Sequence, residues 1–70
     1  MQNTYKTYDI VFNDSENSNS MGFRFTDNEA IQYIDSNNGT NRGYFADYKG
    51  GTVSAVCCET DEVIYEVEVI

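Results

Sequence analysis

Apolar and aromatic side chains alternate with polar ones near both ends of this chain, which is the pattern of half-buried β-strands. Residues 4–12 (TYKTYDIVF) alternate in this way, are rich in aromatic and β-branched side chains, and predict a first strand. The wholly polar stretch 13–20 (NDSENSNS) predicts a loop made of turn-forming residues. Residues 21–25 (MGFRF) alternate again and predict a second strand, paired with the first as a hairpin.

One helical pattern follows. Thr26 and Glu29 have the spacing of a capping box, in which each side chain accepts a hydrogen bond from the other residue's backbone N–H. Apolar residues then recur at three- and four-residue spacing and form one stripe: Ala30, Ile31, Tyr33 and Ile34. The tripeptide 37–39 (NNG) is typical of a left-handed helix end. These features predict a short helix from about Thr26 to Asn37.

Three further alternating segments predict three more strands. They are residues 43–48 (GYFADY), 52–58 (TVSAVCC) and 63–70 (VIYEVEVI), separated by Gly50-Gly51 and by the polar turn 59–62. The predicted order is ββαβββ. We therefore expect a single α+β domain over residues 1–70, with one short helix packed on a mostly antiparallel sheet.

The two predicted turns also assign the faces of this sheet. They place Phe45 opposite Val56, and Val56 opposite Tyr65. The face predicted to lie under the helix contains Phe45, Val56, Cys58, Val63, Tyr65, Val67 and Val69. The other face contains Tyr44, Ala46, Tyr48, Val53, Ala55, Cys57, Ile64, Glu66 and Glu68. A register shifted by one residue would exchange the faces and bury Glu66 and Glu68 without partners, which is costly.

The net charge is the most informative feature of the composition. The 70 residues include twelve acidic and four basic side chains, no histidine and no proline, for a net charge of −8. Proteins that bind nucleic acid directly neutralise phosphates with Lys and Arg, so this composition argues against that function and favours a basic partner. Residues 57–70 contain five acidic side chains and no basic one. Their mutual repulsion costs stability, which is easier to understand if a positive surface normally lies against them.

Catalytic and metal-binding motifs are absent from the sequence. There is no histidine base for a serine or cysteine nucleophile and no glycine-rich phosphate loop, so we expect neither an enzyme nor a cofactor. Asp14, Glu16 and the pair Asp61-Glu62 lack the spacing and glycine of a calcium-binding EF-hand loop, and we interpret them as solvated loop residues.

Cys57 and Cys58 are adjacent. Neighbouring side chains of a strand point to opposite faces, so a disulfide between them is geometrically poor. Two cysteines without histidine cannot complete a tetrahedral zinc site. We interpret them as small apolar residues in a reducing compartment, with Cys58 facing inward.

The hydrophobic runs are short, and the longest purely apolar one, residues 10–12, has three residues. No segment is therefore expected to span a membrane. A polar start after Met1, without a hydrophobic signal region, predicts a cytoplasmic protein.

The face that mixes tyrosines with carboxylates is either an ordinary solvated surface or a binding surface, since tyrosine is enriched at interfaces. Under the second interpretation the predicted partner-binding residues are Tyr44, Asp47, Tyr48, Glu59, Asp61, Glu62, Glu66 and Glu68. Glu66 and Glu68 are two residues apart on a strand, so their backbones lie about 6.7 Å apart. A rigid row of such carboxylates can replace part of a phosphate array, as in a DNA mimic.

In size, acidity and tyrosine content the whole chain resembles the small inhibitors of bacterial defence encoded by phages and mobile elements, the anti-CRISPR and anti-restriction proteins. The resemblance rests on overall character and assigns no individual residue. It implies a cytoplasmic inhibitor, monomeric or homodimeric, that binds the basic nucleic-acid-binding surface of a nuclease complex. The alternative is a general protein-interaction module or accessory subunit that assembles by pairing of its last strand.

Overall fold

Four antiparallel strands form one sheet in the computed structural model, which describes residues 6–70. In chain order the elements are β1 (Tyr8–Asn13), β2 (Ser18–Ser20), α1 (Asp27–Asn37), α2 (Tyr44–Asp47), β3 (Thr52–Cys57) and β4 (Val63–Glu68). The strands lie in the order β2-β1-β3-β4, so β2 and β4 are the two edges. The predicted α+β class, with a helix on an antiparallel sheet, is confirmed, and several element boundaries are corrected.

The first hairpin is tighter than the sequence predicts. Asn13 pairs with Ser18, and the Asp14 carboxylate accepts hydrogen bonds from the backbone N–H groups of Glu16 and Asn17 at 2.8 and 2.6 Å. This local turn lets residues 18–20 form β2, inside the stretch predicted as a loop. The first predicted strand is observed from Tyr8 onward, and its residues 4 and 5 lie outside the described part of the chain.

Residues 21–25 were wrongly predicted as a regular strand. The Met21 N–H still donates to the Ile10 carbonyl of β1 at 2.9 Å, but the chain then leaves β1 and returns to it at an isolated bridge between Phe25 and Tyr8. Between these points the chain bulges at Gly22, whose φ is +81°. The Asp9 carboxylate accepts hydrogen bonds from the N–H groups of Gly22 and Phe23 at 3.0 and 2.8 Å. Asp9 thus supplies the acceptors that a regular strand partner would have supplied.

Helix α1 confirms the sequence prediction closely. The Thr26 hydroxyl accepts a hydrogen bond from the Glu29 N–H at 3.2 Å, and the Glu29 carboxylate accepts one from the Thr26 N–H at 2.9 Å. Ala30 and Ile34, from the predicted stripe, are fully buried. The helix ends before Gly39, whose φ of +89° is the expected left-handed conformation.

The predicted strand 43–48 was wrong, because these residues form the short helix α2. The Tyr48 N–H donates a hydrogen bond to the Tyr44 carbonyl at 2.9 Å, the spacing of a helical turn. Phe45 and Tyr48, three residues apart, are both buried, and the Phe45 ring packs edge-on against Phe12 at 4.8 Å. Residues 50–51 therefore connect a helix to β3 and are not a hairpin turn.

The register between β3 and β4 corrects the face assignment of β3. Ala55 pairs with Tyr65, one residue from the predicted partner Val56, because a β-bulge adds a residue to β4. The buried positions of β3 are Val53, Ser54, Ala55 and Cys57, while Val56 and Cys58 are half-buried. On β4 the prediction was right for Glu66 and Glu68, which face outward. It was wrong for Val63, which is 50% exposed and pairs with Val56, and for Ile64, which packs against the core.

Both helices lie on the same face of the sheet, and the core fills the space between the two layers. It consists of Ile10, Phe12, Ala30, Ile34, Phe45, Tyr48, Val53, Ala55 and Val69. The opposite face, here called the open face, displays Asp9, Val11, Asn13, Ser18, Ser20, Thr52, Ser54, Val56, Glu66 and Glu68. This face carries mainly polar and acidic side chains, and it is the side from which a partner can approach the sheet.

Candidate acidic docking surface

Glu66 and Glu68 occupy alternate positions on β4 and are exposed on the open face. Their alternation with the inward-facing Tyr65 and Val67 follows from the two-residue period of a strand. The Glu66 carboxylate accepts a hydrogen bond at 2.9 Å from the Ser54 hydroxyl, which is almost completely buried. This contact fixes one carboxylate of the pair against the sheet.

Three further acidic residues lie in the turn between β3 and β4. Glu59, Asp61 and Glu62 are all exposed, and the turn is closed by the Cys57 N–H, which donates to the Glu62 carbonyl at 2.8 Å. Asp61 has a φ of +63°, in the left-handed region that Asn and Asp tolerate better than most residues. The turn therefore presents its carboxylates in a defined backbone conformation.

We call these five residues the acidic edge: Glu59, Asp61, Glu62, Glu66 and Glu68. They follow one another along a single turn and the edge strand that it starts. Residues 50–70 contain no Lys or Arg, so no basic side chain of this segment neutralises them. The structure thus places these five predicted site residues, all exposed, in one turn and on the edge strand that follows it.

The other three predicted site residues lie elsewhere. Tyr44 and Asp47 lie in α2 and Tyr48 is its C-cap, on the helix-bearing side of the sheet. The prediction that Tyr44 and Tyr48 share a face with Glu66 and Glu68 was therefore wrong. Tyr48 is 5% exposed, and its hydroxyl accepts a hydrogen bond from the Asn19 side chain, so it is a core residue. Tyr44 is 39% exposed and Asp47 is also exposed, away from the acidic edge.

A small cavity of about 210 Å³ lies beside α2. It was not predictable from the sequence, because residues 43–48 were predicted as a strand. Half of its lining residues are aromatic, and the full set is Phe12, Met21, Tyr33, Asn37, Arg42, Gly43, Tyr44 and Phe45. The Asn37 amide donates to the Tyr33 carbonyl of its own helix at 2.8 Å, so one of its two N–H groups is already hydrogen-bonded.

Both cysteines are free thiols, as expected, but their orientations are the reverse of the prediction. Cys57 is buried and Cys58 is half-buried, as the shifted β3 register requires. Within residues 6–70, no group of three or more His, Cys, Asp or Glu side chains is arranged to hold a metal ion. In the same part of the chain, neither helix has the length and apolar character needed to cross a bilayer.

Comparison of the chain with protein-family models, with curated proteins and with solved structures found no match.

Proposed function

We propose that this protein is an inhibitor that acts by binding, without catalysis, and that its acidic edge docks on the basic nucleic-acid-binding surface of a bacterial defence nuclease complex. The observation that carries the proposal is the exposure of five carboxylates along one turn and one edge strand that hold no basic residue. A surface of this kind is complementary to a groove lined with Lys and Arg. The proposed location is the cytoplasm of the bacterial host cell.

The backbone geometry of β4 supports mimicry of nucleic acid. Alternate residues of a strand are about 6.7 Å apart, so Glu66 and Glu68 present charges at a regular spacing on a rigid support. The Ser54 hydroxyl holds the Glu66 carboxylate at 2.9 Å, which lowers the entropy lost when that carboxylate pairs with a cation.

The test begins with capture of the partner from the host and continues with the purified pair. The protein is titrated against the partner loaded with its DNA or RNA, and release of the nucleic acid is measured. The double variant Glu66→Gln, Glu68→Gln removes two charges from the acidic edge. The matched control Glu16→Gln, Asp27→Asn removes two exposed charges elsewhere.

We expect the wild-type protein and the control to displace the nucleic acid, and the Glu66, Glu68 variant to do so at a higher concentration. Equal displacement by both variants would contradict the role of the acidic edge. A partner that holds its nucleic acid unchanged in the complex would overturn the proposed inhibition.

The position of β4 favours a second candidate, a general interaction module or accessory subunit. β4 is an edge strand, and edge strands readily pair with other chains. Under this alternative the complex forms, but nucleic acid neither competes for the partner nor is released from it.

A further inference from the structure

The backbone of β4 has a side that no strand of residues 6–70 pairs with. The Val69 N–H donates to the Gly51 carbonyl and the Val69 carbonyl accepts from the Gly50 N–H, both at 2.9 Å, so the Val69 peptide groups face β3. Successive residues of an antiparallel strand direct these groups to opposite sides. Glu66 and Glu68 therefore direct their backbone N–H and C=O groups outward, away from β3.

Asn38 occupies the C-terminal end of this outer side. Its side-chain amide donates to the Glu68 carbonyl at 2.9 Å, and its side-chain carbonyl accepts from the Ile70 N–H at 3.0 Å. One amide group thus makes the two hydrogen bonds that a neighbouring strand would make. Within residues 6–70, the groups left for another chain are the N–H and C=O of Glu66 and the N–H of Glu68.

We propose that this outer side of β4 accepts an extended segment with Lys or Arg at alternate positions, as an added antiparallel strand. On the open face, the basic side chains of such a strand lie directly beside Glu66 and Glu68, and opposite charges in that relation are stabilising. Main-chain hydrogen bonds then supply affinity and the alternate side chains supply specificity, as in other cases of strand addition.

The charge of β4 favours an extended basic segment over a second copy of this chain as the added strand. Pairing of β4 with β4 would bring the Glu66 and Glu68 side chains of two copies beside each other, in a protein of net charge −8. Like charges opposite one another destabilise a strand pair. A basic segment forms the same backbone hydrogen bonds and relieves the repulsion.

This inference rests on the proposed function, because it specifies how the acidic edge meets a basic partner. The test uses the wild-type protein at low ionic strength and a short synthetic peptide of alternating lysine and valine. The matched control peptide has the same sequence, but it is N-methylated at the backbone positions that would donate to β4. Both peptides carry the same charge, so their electrostatic attraction to the acidic edge is matched and the methylated one lacks the N–H donors of an added strand.

Amide hydrogen exchange, followed by NMR, is the readout. With the unmethylated peptide at saturation we expect exchange at the Glu66 and Glu68 N–H groups to slow by about tenfold or more, and with the methylated peptide to stay unchanged. Equal effects of the two peptides, or no slowing with either, would overturn strand addition. Neither result affects the proposed function, which the displacement of nucleic acid from the partner tests separately.

Discussion

The Tyr65 hydroxyl donates a hydrogen bond to the Asp35 carboxylate at 2.6 Å and so joins the edge strand β4 to helix α1. Asn38, three residues after Asp35, makes two side-chain hydrogen bonds to the end of the same strand, at the Glu68 carbonyl and the Ile70 N–H. The last turn of α1 and its C-cap residue Asn38 thus fix β4 at two points. Because β4 carries Glu66 and Glu68, these contacts set the position of the acidic edge relative to the core.

Alkaline pH should weaken the hydrogen bond between Tyr65 and Asp35. The hydrogen bond to Asp35, then desolvation and the negative charge of Asp35, raise the pKa of Tyr65 above its ordinary value of 10.0. The contribution of this hydrogen bond to the free energy of unfolding is complete at pH values below the ordinary tyrosine pKa. It is lost as the pH rises through the raised pKa that Tyr65 has in the folded protein. In a tyrosinate absorbance titration, Tyr65→Phe should remove the component with the raised pKa. A titration curve of unchanged shape in that variant would contradict the assignment.

Asp9 should be a structural residue despite its charge. Asp9→Ala leaves the N–H groups of Gly22 and Phe23 without their acceptor, which should lower the free energy of unfolding by about 2 kcal/mol. Denaturant unfolding gives the change in stability, and hydrogen exchange at Gly22 and Phe23 should accelerate. As a control, Asp27→Ala should cost less, because within the described residues 6–70 the Asp27 carboxylate accepts a single hydrogen bond, from the neighbouring Asn28 N–H. Equal losses in the two variants would argue against the bracing role of Asp9.

Gly51 is required for a close approach of two backbone segments. A Cβ at this position would lie 2.2 Å from the Asn13 carbonyl oxygen, so Gly51→Ala must displace the end of β1. We expect a loss of about 3 kcal/mol or more. Gly50→Ala adds its methyl group to open space, so its only cost is the strain of a non-glycine residue at a φ of +88°, about 1–2 kcal/mol. Thermal unfolding of the two variants compares these costs. A Gly51→Ala protein that is more stable than the Gly50→Ala protein would contradict the close approach of Gly51 to Asn13.

Thiol labelling tests the corrected register of β3. Cys58 is half-buried and should react with a thiol reagent in the folded protein, whereas the buried Cys57 should react only when the structure opens. The single variants Cys57→Ser and Cys58→Ser separate the two rates. Faster labelling of Cys57 would favour the register predicted from the sequence over the observed one.

The sequence predicted α1 because its signals are local. The Thr26–Glu29 capping box and the spacing of Ala30 and Ile34 involve residues within one or two turns of each other. In α2, the aromatic residues of 44–48 fit a strand as well as a helix, and the contact of Phe45 with Phe12 that favours the helix is distant in sequence. Local patterns do not contain that information.

The residues of the candidate site also divide into those that local sequence patterns predicted and those that depend on pairing between distant residues. The acidic edge was predictable because its five residues are close in sequence, and Glu66 and Glu68 face outward in any register that avoids burying them. The faces of β3 were not predictable, because a single bulge opposite Ala55 shifts the pairing by one residue. The grouping of Tyr44 and Tyr48 with the glutamates failed for that reason and because α2 is helical.

The central claim is that the acidic edge takes the place of phosphates on a basic partner, and the salt dependence of the association rate tests it most directly. Stopped-flow measurements with the purified partner compare the wild-type protein, the Glu66→Gln, Glu68→Gln variant and the Glu16→Gln, Asp27→Asn control. Raising the ionic strength shortens the range of electrostatic attraction, to about 8 Å at 0.15 M.

We predict that the wild-type association rate falls by about tenfold or more between low and physiological ionic strength. The Glu66, Glu68 variant should associate more slowly at low salt and show a shallower dependence, while remaining at least as stable as the wild-type protein. The control should stay close to the wild-type rate. An association rate that is insensitive to salt, or equal in the two double variants, would contradict the central claim.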